Sequence, residues 1–214
     1  TVKRRRARST LARAATAAAT LLDATAPARA IIFHSTGDPT FNTTAPTGPL
    51  ANSGWQYQGI HGIHMGTPVG PHHFLTAAHI NNAVGGTITY NGVAYTTIAS
   101  QDFGDLRLFE VNGTFHSYAP LYDASSSTDG TEVGKTAVVI GRGRTRGAEI
   151  RVPDLPGGAL GGWQWGANDL VQRWGQNKVS AFAGYAMSDD DKLLKFDFDA
   201  SGTGYTGVNE ATLA

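Results

Sequence analysis

The chain has 214 residues, with 17 basic and 17 acidic side chains, 27 glycines and no cysteine. The missing cysteine excludes disulfides and thiolate metal sites, and no apolar run approaches the roughly 20 residues of a membrane-spanning helix. The zero net charge hides an asymmetry: residues 1–30 hold seven basic side chains against Asp23 alone, so the remainder keeps ten basic and sixteen acidic residues, a balance that argues against non-specific nucleic-acid binding.

In chain order, the first segment, 1–30, is expected to be a signal peptide or basic leader. "KRRRAR" is a basic start, "LARAATAAATLL" a weakly apolar middle, and "ARA" at 28–30 a small-x-small cleavage site. Export to an extracytoplasmic location follows from that pattern. Residues 31–54, rich in Thr, Pro, Asn and Gly, read as an extended lead-in segment. From Trp55 the texture becomes that of short strands punctuated by glycine, in "GWQYQGIHGIHMGTPVG" and "FLTAAH". "TITYNGVAYTTI" (87–98) predicts two alternating strands about Asn91-Gly92, a pair suited to a type I′ turn because both residues tolerate positive φ. "DLRLFEV" (105–111) alternates again, with Arg107, Phe109 and Val111 on one face. A Ser/Thr/Asp/Gly stretch at 123–135 reads as a linker. Beyond it "TAVVIG" (136–141), "NKVSAFAG" and "LLKFDFDA" read as strands, and "PGGALGGWQWG" (156–166) as a glycine-rich loop. Strands in this order with no helices between them predict an all-β protein of barrels or sandwiches.

The stretch "PHHFLTAAHI" (71–80) carries the most chemistry. A single histidine at a strand end is more often a hydrogen-bonded structural residue than a catalyst. Its company changes that reading for His79. "GTPVGPHHFLTAAHI", followed by "DFGDLRLFEV" and then by "TAVVIGRGRTRG" (136–147), resembles in order the base-histidine segment, the orienting aspartate and the opening strand of the second barrel in trypsin-like (chymotrypsin-fold) serine proteases. The resemblance spans about residues 55–214. It implies two antiparallel β-barrels, a first at 55–122 and a partial second at 136–214, with the site between them. It also implies His79 as general base and Asp105 as the carboxylate that orients it, with a protein or peptide as substrate and no cofactor. Asp102 is the nearby competitor; Asp105 is preferred because the apolar alternation starts there.

One part of the family pattern is missing. No Gly-Asp-Ser-Gly-Gly type motif occurs, and the late serines Ser180, Ser188 and Ser201 lack its flanking residues. With no initiator Met, the chain is read as a fragment whose nucleophile lies beyond Ala214. This fragment is therefore expected to be inactive, its second barrel incomplete. The alternative is a non-catalytic trypsin-fold binding or adhesion module, and a third option is a metal-binding extracellular β-protein.

Three further patterns are weaker. His61, His64, His72 and His73 could join His79 around zinc, but "HGIH" on one strand would point its two histidines to opposite faces. "DFDASGTGYTGVNE" begins like a calcium loop at Asp197, Asp199, Ser201 and Gly202, yet its twelfth position is Val208, with Glu210 two residues late. Gly141-x-Gly143 resembles a dinucleotide loop, but the following "AEIRVPDLPGG" cannot open a helix. No metal site is expected.

Overall fold

The computed structural model describes residues 31–122, 132–151, 158–184, 192–198 and 211–213. The leader, most of the linker at 123–135, and Ser188, Asp199, Ser201, Gly202, Val208 and Glu210 lie outside the described residues. The described chain is mostly strand. In order the strands are β1 (Ile31–Phe33), β2 (Gly59–His61), β3 (His64–Gly70), β4 (His73–Ala77), β5 (Thr87–Tyr90), β6 (Val93–Phe103), β7 (Leu106–Asn112), β8 (Thr136–Arg151), β9 (Leu160–Gly184), β10 (Lys192–Phe196) and β11 (Ala211–Leu213). Among the described residues no helix is long and apolar enough to cross a membrane.

Strands β2 to β7 close an antiparallel barrel in the order β2-β3-β4-β7-β6-β5. The Asn91-Gly92 turn between β5 and β6 has φ of 50° and 77° and closes on the Tyr90–Val93 pair, the geometry a type I′ hairpin requires. The core consists of Phe74, Ile88, Tyr90, Tyr95, Phe109, Val111 and Phe115. Phe74 and Phe109, directly paired across β4 and β7, stack with centroids 5.2 Å apart. Each such ring contributes roughly 1.5–3 kcal/mol by leaving water. Two glycines make room for Phe74 and for Ile88 beside it. Gly59 and Gly66 face each other across β2 and β3, where a Cβ would lie 2.9 Å from Ile88 Cδ1 and 2.7 Å from Phe74 Cδ2 respectively. The repeated glycines of "QGIHGIHMG" thus serve the packing as well as the turns.

The second sheet runs β10-β9-β8, and β1 pairs with β11. Two segments differ from the sequence reading. Residues 160–166 of the expected glycine-rich loop belong to β9, and the strand expected at 136–141 runs on through the glycines at 141, 143 and 147 to Arg151 as β8. The glycines are used for close backbone approach: a Cβ on Gly147 would sit 2.6 Å from the Gln164 carbonyl, and one on Gly166 2.3 Å from Thr145 Oγ1. The ladder slips in register between Gly143 and Arg144 and again at three places before Arg151, which erases any simple alternation.

The segment read as a lead-in is anchored to this sheet. Ile31 and Phe33 are buried with Phe41 and Val139 against them. Arg146 donates to the carbonyls of Phe33 (2.8 Å) and His34 (2.7 Å), and Trp174 Nε1 donates to Thr44 O at 2.8 Å. The buried Arg173 donates to Pro39 O and pairs with Asp169, whose carboxyl is held below its usual range chiefly by that hydrogen bond.

Candidate active site

His79 sits where β4 runs out. The β4–β7 ladder ends at the Ala77–Leu106 pair, which brings the residue after Ala77 against the one before Leu106. Ala78 N–H accordingly donates to Asp105 O at 2.7 Å. Residues 78–80 make one 3-10 turn, ended by Asn81 in the left-handed region (φ 53°). Small residues at 77 and 78 allow this close approach. Asp105 occupies the second position of a two-residue turn behind Gly104 (φ 58°), one residue before β7 begins, so its carboxylate points back across the hairpin.

The carboxylate meets His79 twice. The His79 main-chain N–H donates to Oδ1 at 3.0 Å, and Nδ1 lies 2.8 Å from Oδ1 and 2.7 Å from Oδ2. An ionised carboxylate only accepts, so Nδ1 carries the hydrogen and Nε2 is left with a lone pair. The pair is exposed, with 62% of the imidazole and 42% of the carboxylate side chain accessible. Exposed ion pairs contribute about 0–1 kcal/mol, so what this contact supplies is orientation and tautomer choice far more than stability. Chemically, it holds the imidazole by its Nδ1 side and leaves Nε2 as the nitrogen through which a proton can be taken from an approaching group.

Asp102, the competitor, faces elsewhere. Its oxygens accept from Arg107 Nε at 2.5 Å and Nη2 at 2.7 Å, a fork that holds the Asp102 carboxyl below its usual range. The other histidines do not gather around His79. His72 donates from Nδ1 to Gly113 O at 2.6 Å, and His73 lies opposite Glu110 in the β4–β7 ladder. His61 and His64 do not share one strand, as the zinc argument assumed. They flank the Gly62-Ile63 turn and face each other in the ladder. His61 is buried, edge-on to Phe74 and Phe109, with Nδ1 3.1 Å from Thr87 O; burial lowers its pKa. His64 is half-buried, and its pKa is lowered by burial first and then by coulombic interaction with His79, His61 and Arg142. Among the described residues no three His, Cys, Asp or Glu side chains converge as metal ligands. Of the late serines, Ser180 is described, and its hydroxyl donates to Lys195 O at 3.1 Å. Asp197 accepts from Lys195 Nζ at 3.1 Å.

Two neighbours went unnoticed in the sequence. Arg142 of β8 is close enough to His64 for its charge to count, which is where the second sheet meets the barrel. Arg107 reaches the turn that carries His79, through a hydrogen bond from Nη1 to Asn82 O at 3.0 Å. Its place on the Phe109 and Val111 face was the available signal: a charge on an inward face needs a partner.

The chain matches no protein-family model, and no curated protein matches it.

Proposed function

We propose that this protein is an exported trypsin-like serine endopeptidase, built on two barrels of the chymotrypsin type, in which His79 is the general base and Asp105 its orienting carboxylate. The observation that carries the reading is the Nδ1–carboxylate contact of 2.7–2.8 Å on an exposed imidazole in the turn that follows barrel strand β4. The order His79 then Asp105 along the chain, each at the end of a barrel strand, supports it, as does a second β-sheet following the barrel.

In the proposed reaction a serine hydroxyl loses its proton to His79 Nε2 as its oxygen bonds to the substrate carbonyl carbon. The proton then passes to the leaving amine as the peptide bond breaks, and water repeats the sequence on the acyl-enzyme. Asp105 keeps the hydrogen on Nδ1 and steadies the imidazolium between these steps. The serine is expected in a Gly-x-Ser-Gly motif on a segment following Ala214, because no stretch of the sequence given has that form.

The test is labelling of the full-length protein by a serine-directed phosphonate. Labelling should fall on that serine, disappear in His79→Ala, slow by orders of magnitude in Asp105→Asn through the wrong tautomer, and leave residues 31–214 unlabelled. A full-length protein with no reactive serine sinks the protease reading and favours a binding or adhesion module on the same barrel. Unchanged labelling in Asp105→Asn keeps the protease and refutes the choice of aspartate.

A further inference from the structure

The turn bearing His79 is gripped at two ends by one hairpin. At its start, Ala78 N–H and His79 N–H both donate to Asp105. At its finish, Arg107, two residues further along the same hairpin, donates from Nη1 to Asn82 O at 3.0 Å. Asn82 in turn donates from its side chain to His61 O at 3.2 Å, which ties the turn to the end of β2. Arg107 is itself held from behind. Its Nε and Nη2 fork onto both oxygens of Asp102, its cross-strand partner in the β6–β7 ladder. Its side chain is only 18% exposed, and its guanidinium carbon lies 5.8 Å from the centre of the Phe109 ring. The guanidinium is therefore fixed on three sides: a carboxylate behind, an aromatic ring at its flank and the Asn82 carbonyl ahead.

From this arrangement we infer that Arg107 is a positioning residue for His79, and that Asp102 serves the site through Arg107. Asn81 occupies the left-handed region, which costs a non-glycine residue free energy unless its surroundings hold it there. The bond from Arg107 to the next carbonyl supplies that hold. Without it the finish of the turn is held by the single bond from the Asn82 side chain to His61 O, and the imidazole has more freedom to swing about the Asp105 carboxylate. Arginine is suited to the task because one planar group satisfies a bidentate carboxylate and still aims a third donor at a carbonyl; a lysine ammonium offers neither the fork nor the plane. The inference rests on the reading that His79 is the working imidazole, but it concerns the order of that ring and is tested without any turnover.

The experiment is nitrogen-15 and proton NMR of the imidazole in the full chain, comparing Arg107→Met, Arg107→Lys and Asp102→Asn with the wild type. The wild-type ring should show one Nδ1–H tautomer with a slowly exchanging, strongly downfield proton. Arg107→Met keeps most of the stem against Phe109 and removes the donors. It should speed exchange of that proton roughly tenfold or more, as expected for loss of a charge-assisted hydrogen bond, and mix the tautomers, while the amide signals of Phe74 and Phe109 keep their positions. Arg107→Lys should recover little of the order. Asp102→Asn should give a smaller change in the same direction, and adding it to Arg107→Met should change nothing further, because both act through one group. A folded Arg107→Met protein with an unaltered His79 resonance overturns the inference. If that variant does not fold, an unaltered resonance in Asp102→Asn overturns it equally. Failure of the protease reading looks different: the imidazole responds to Arg107 as stated, yet no serine of the full-length protein takes the phosphonate.

Discussion

The barrel and the second sheet bury their strands with different side chains. The barrel, β2 to β7, turns aromatic side chains inward and closes on itself, and the polar side chains it buries are the uncharged hydroxyls Thr76 and Thr97 and the imidazole of His61, which lies against Phe74 and Phe109. In the second sheet the buried side chains include Arg173 and Asn177 beside Trp174 and Val179. Its arginines donate to main-chain carbonyls: Arg142 to Leu170, Arg144 to Gly166, Arg146 to Phe33 and His34, and Arg173 to Pro39. These bonds occur where the β8–β9 ladder slips and where the 31–44 segment crosses it, the places at which backbone oxygens lose their strand partners. The barrel, with one register shift in β3–β4 and one in β6–β7, meets main-chain carbonyls with short hydroxyls, Thr76 on Met65 O and Thr97 on Gly86 O; the β8–β9 ladder, which slips four times, meets them with long arginine donors.

That contrast can be broken most forcefully at Phe109, which is fully buried. Phe109→Ala should destabilise the barrel by roughly 3–5 kcal/mol, the usual result of deleting a buried ring. Near-UV dichroism of the buried tyrosines Tyr90 and Tyr95 should be lost at lower denaturant concentration. Three of the four tryptophans, Trp163, Trp165 and Trp174, lie on β9 and report on the other region by fluorescence. Coincident shifts of both signals would mean that the two regions unfold as one unit.

Arg173→Met strikes the second sheet instead. It strands Asp169 and leaves the Pro39 carbonyl without its donor. Breaking a buried pair costs roughly 3–5 kcal/mol, and since the Asp169 side chain is 25% exposed, about 3 kcal/mol or somewhat less is expected. Trp174 fluorescence should shift, and proteolytic cleavage within 34–44 should quicken, before the tyrosine signal changes. Adding Asp169→Asn should restore part of the loss, because it removes the stranded charge; no recovery would mean that the bond to Pro39 is what matters.

The smallest effect sharpens the comparison through pH. Burial lowers the pKa of His61 below the ordinary 6.5, and that of His64 likewise. The unfolded chain therefore takes up protons near pH 6.5 that the folded barrel refuses. The stability these residues contribute is complete above pH 6.5 and falls as the pH drops from there toward the lower folded values. Asp169 behaves in the same sense but in another range: its contribution is full above the ordinary 3.8 and is lost only as the pH falls below it. Mild acid should thus loosen the tyrosine signal of the barrel while the tryptophan signal of the sheet holds. His61→Gln should flatten the barrel's response between pH 7 and 5. An equal response in the variant would assign the acid sensitivity to other groups.

The barrel was the legible region for a physical reason. Alternation in "TITY", "VAYTT" and "DLRLFEV" follows from one face meeting carbon and the other water, and the Asn91-Gly92 turn follows from backbone preferences of two adjacent residues. Both are local, and both stand in the structure. The pairing of His79 with Asp105 could be named from the sequence only through resemblance, since 26 residues separate them and nothing local connects them. The second sheet was read less well. "GGWQWG" has the composition of a loop, and its strand character depends on β8 lying alongside close enough to exclude any side chain at Gly147 and Gly166. The paired histidines of "HGIH" were misplaced because a two-residue turn inside four residues looks the same as a strand when no long alternation flanks it.

By itself, then, the sequence determined the all-β character, the hairpin at 91–92, the inward face of β7 and the absence of disulfides, because each rests on the properties of neighbouring residues or on composition alone. Only the tertiary structure decided that Asp105 and not Asp102 meets His79, that Arg107 bonds to the turn carrying His79, and that the 31–44 segment packs against the second sheet. Those outcomes depend on ladder register and on which backbone oxygens are left without a strand partner, and both are settled only when distant strands have paired.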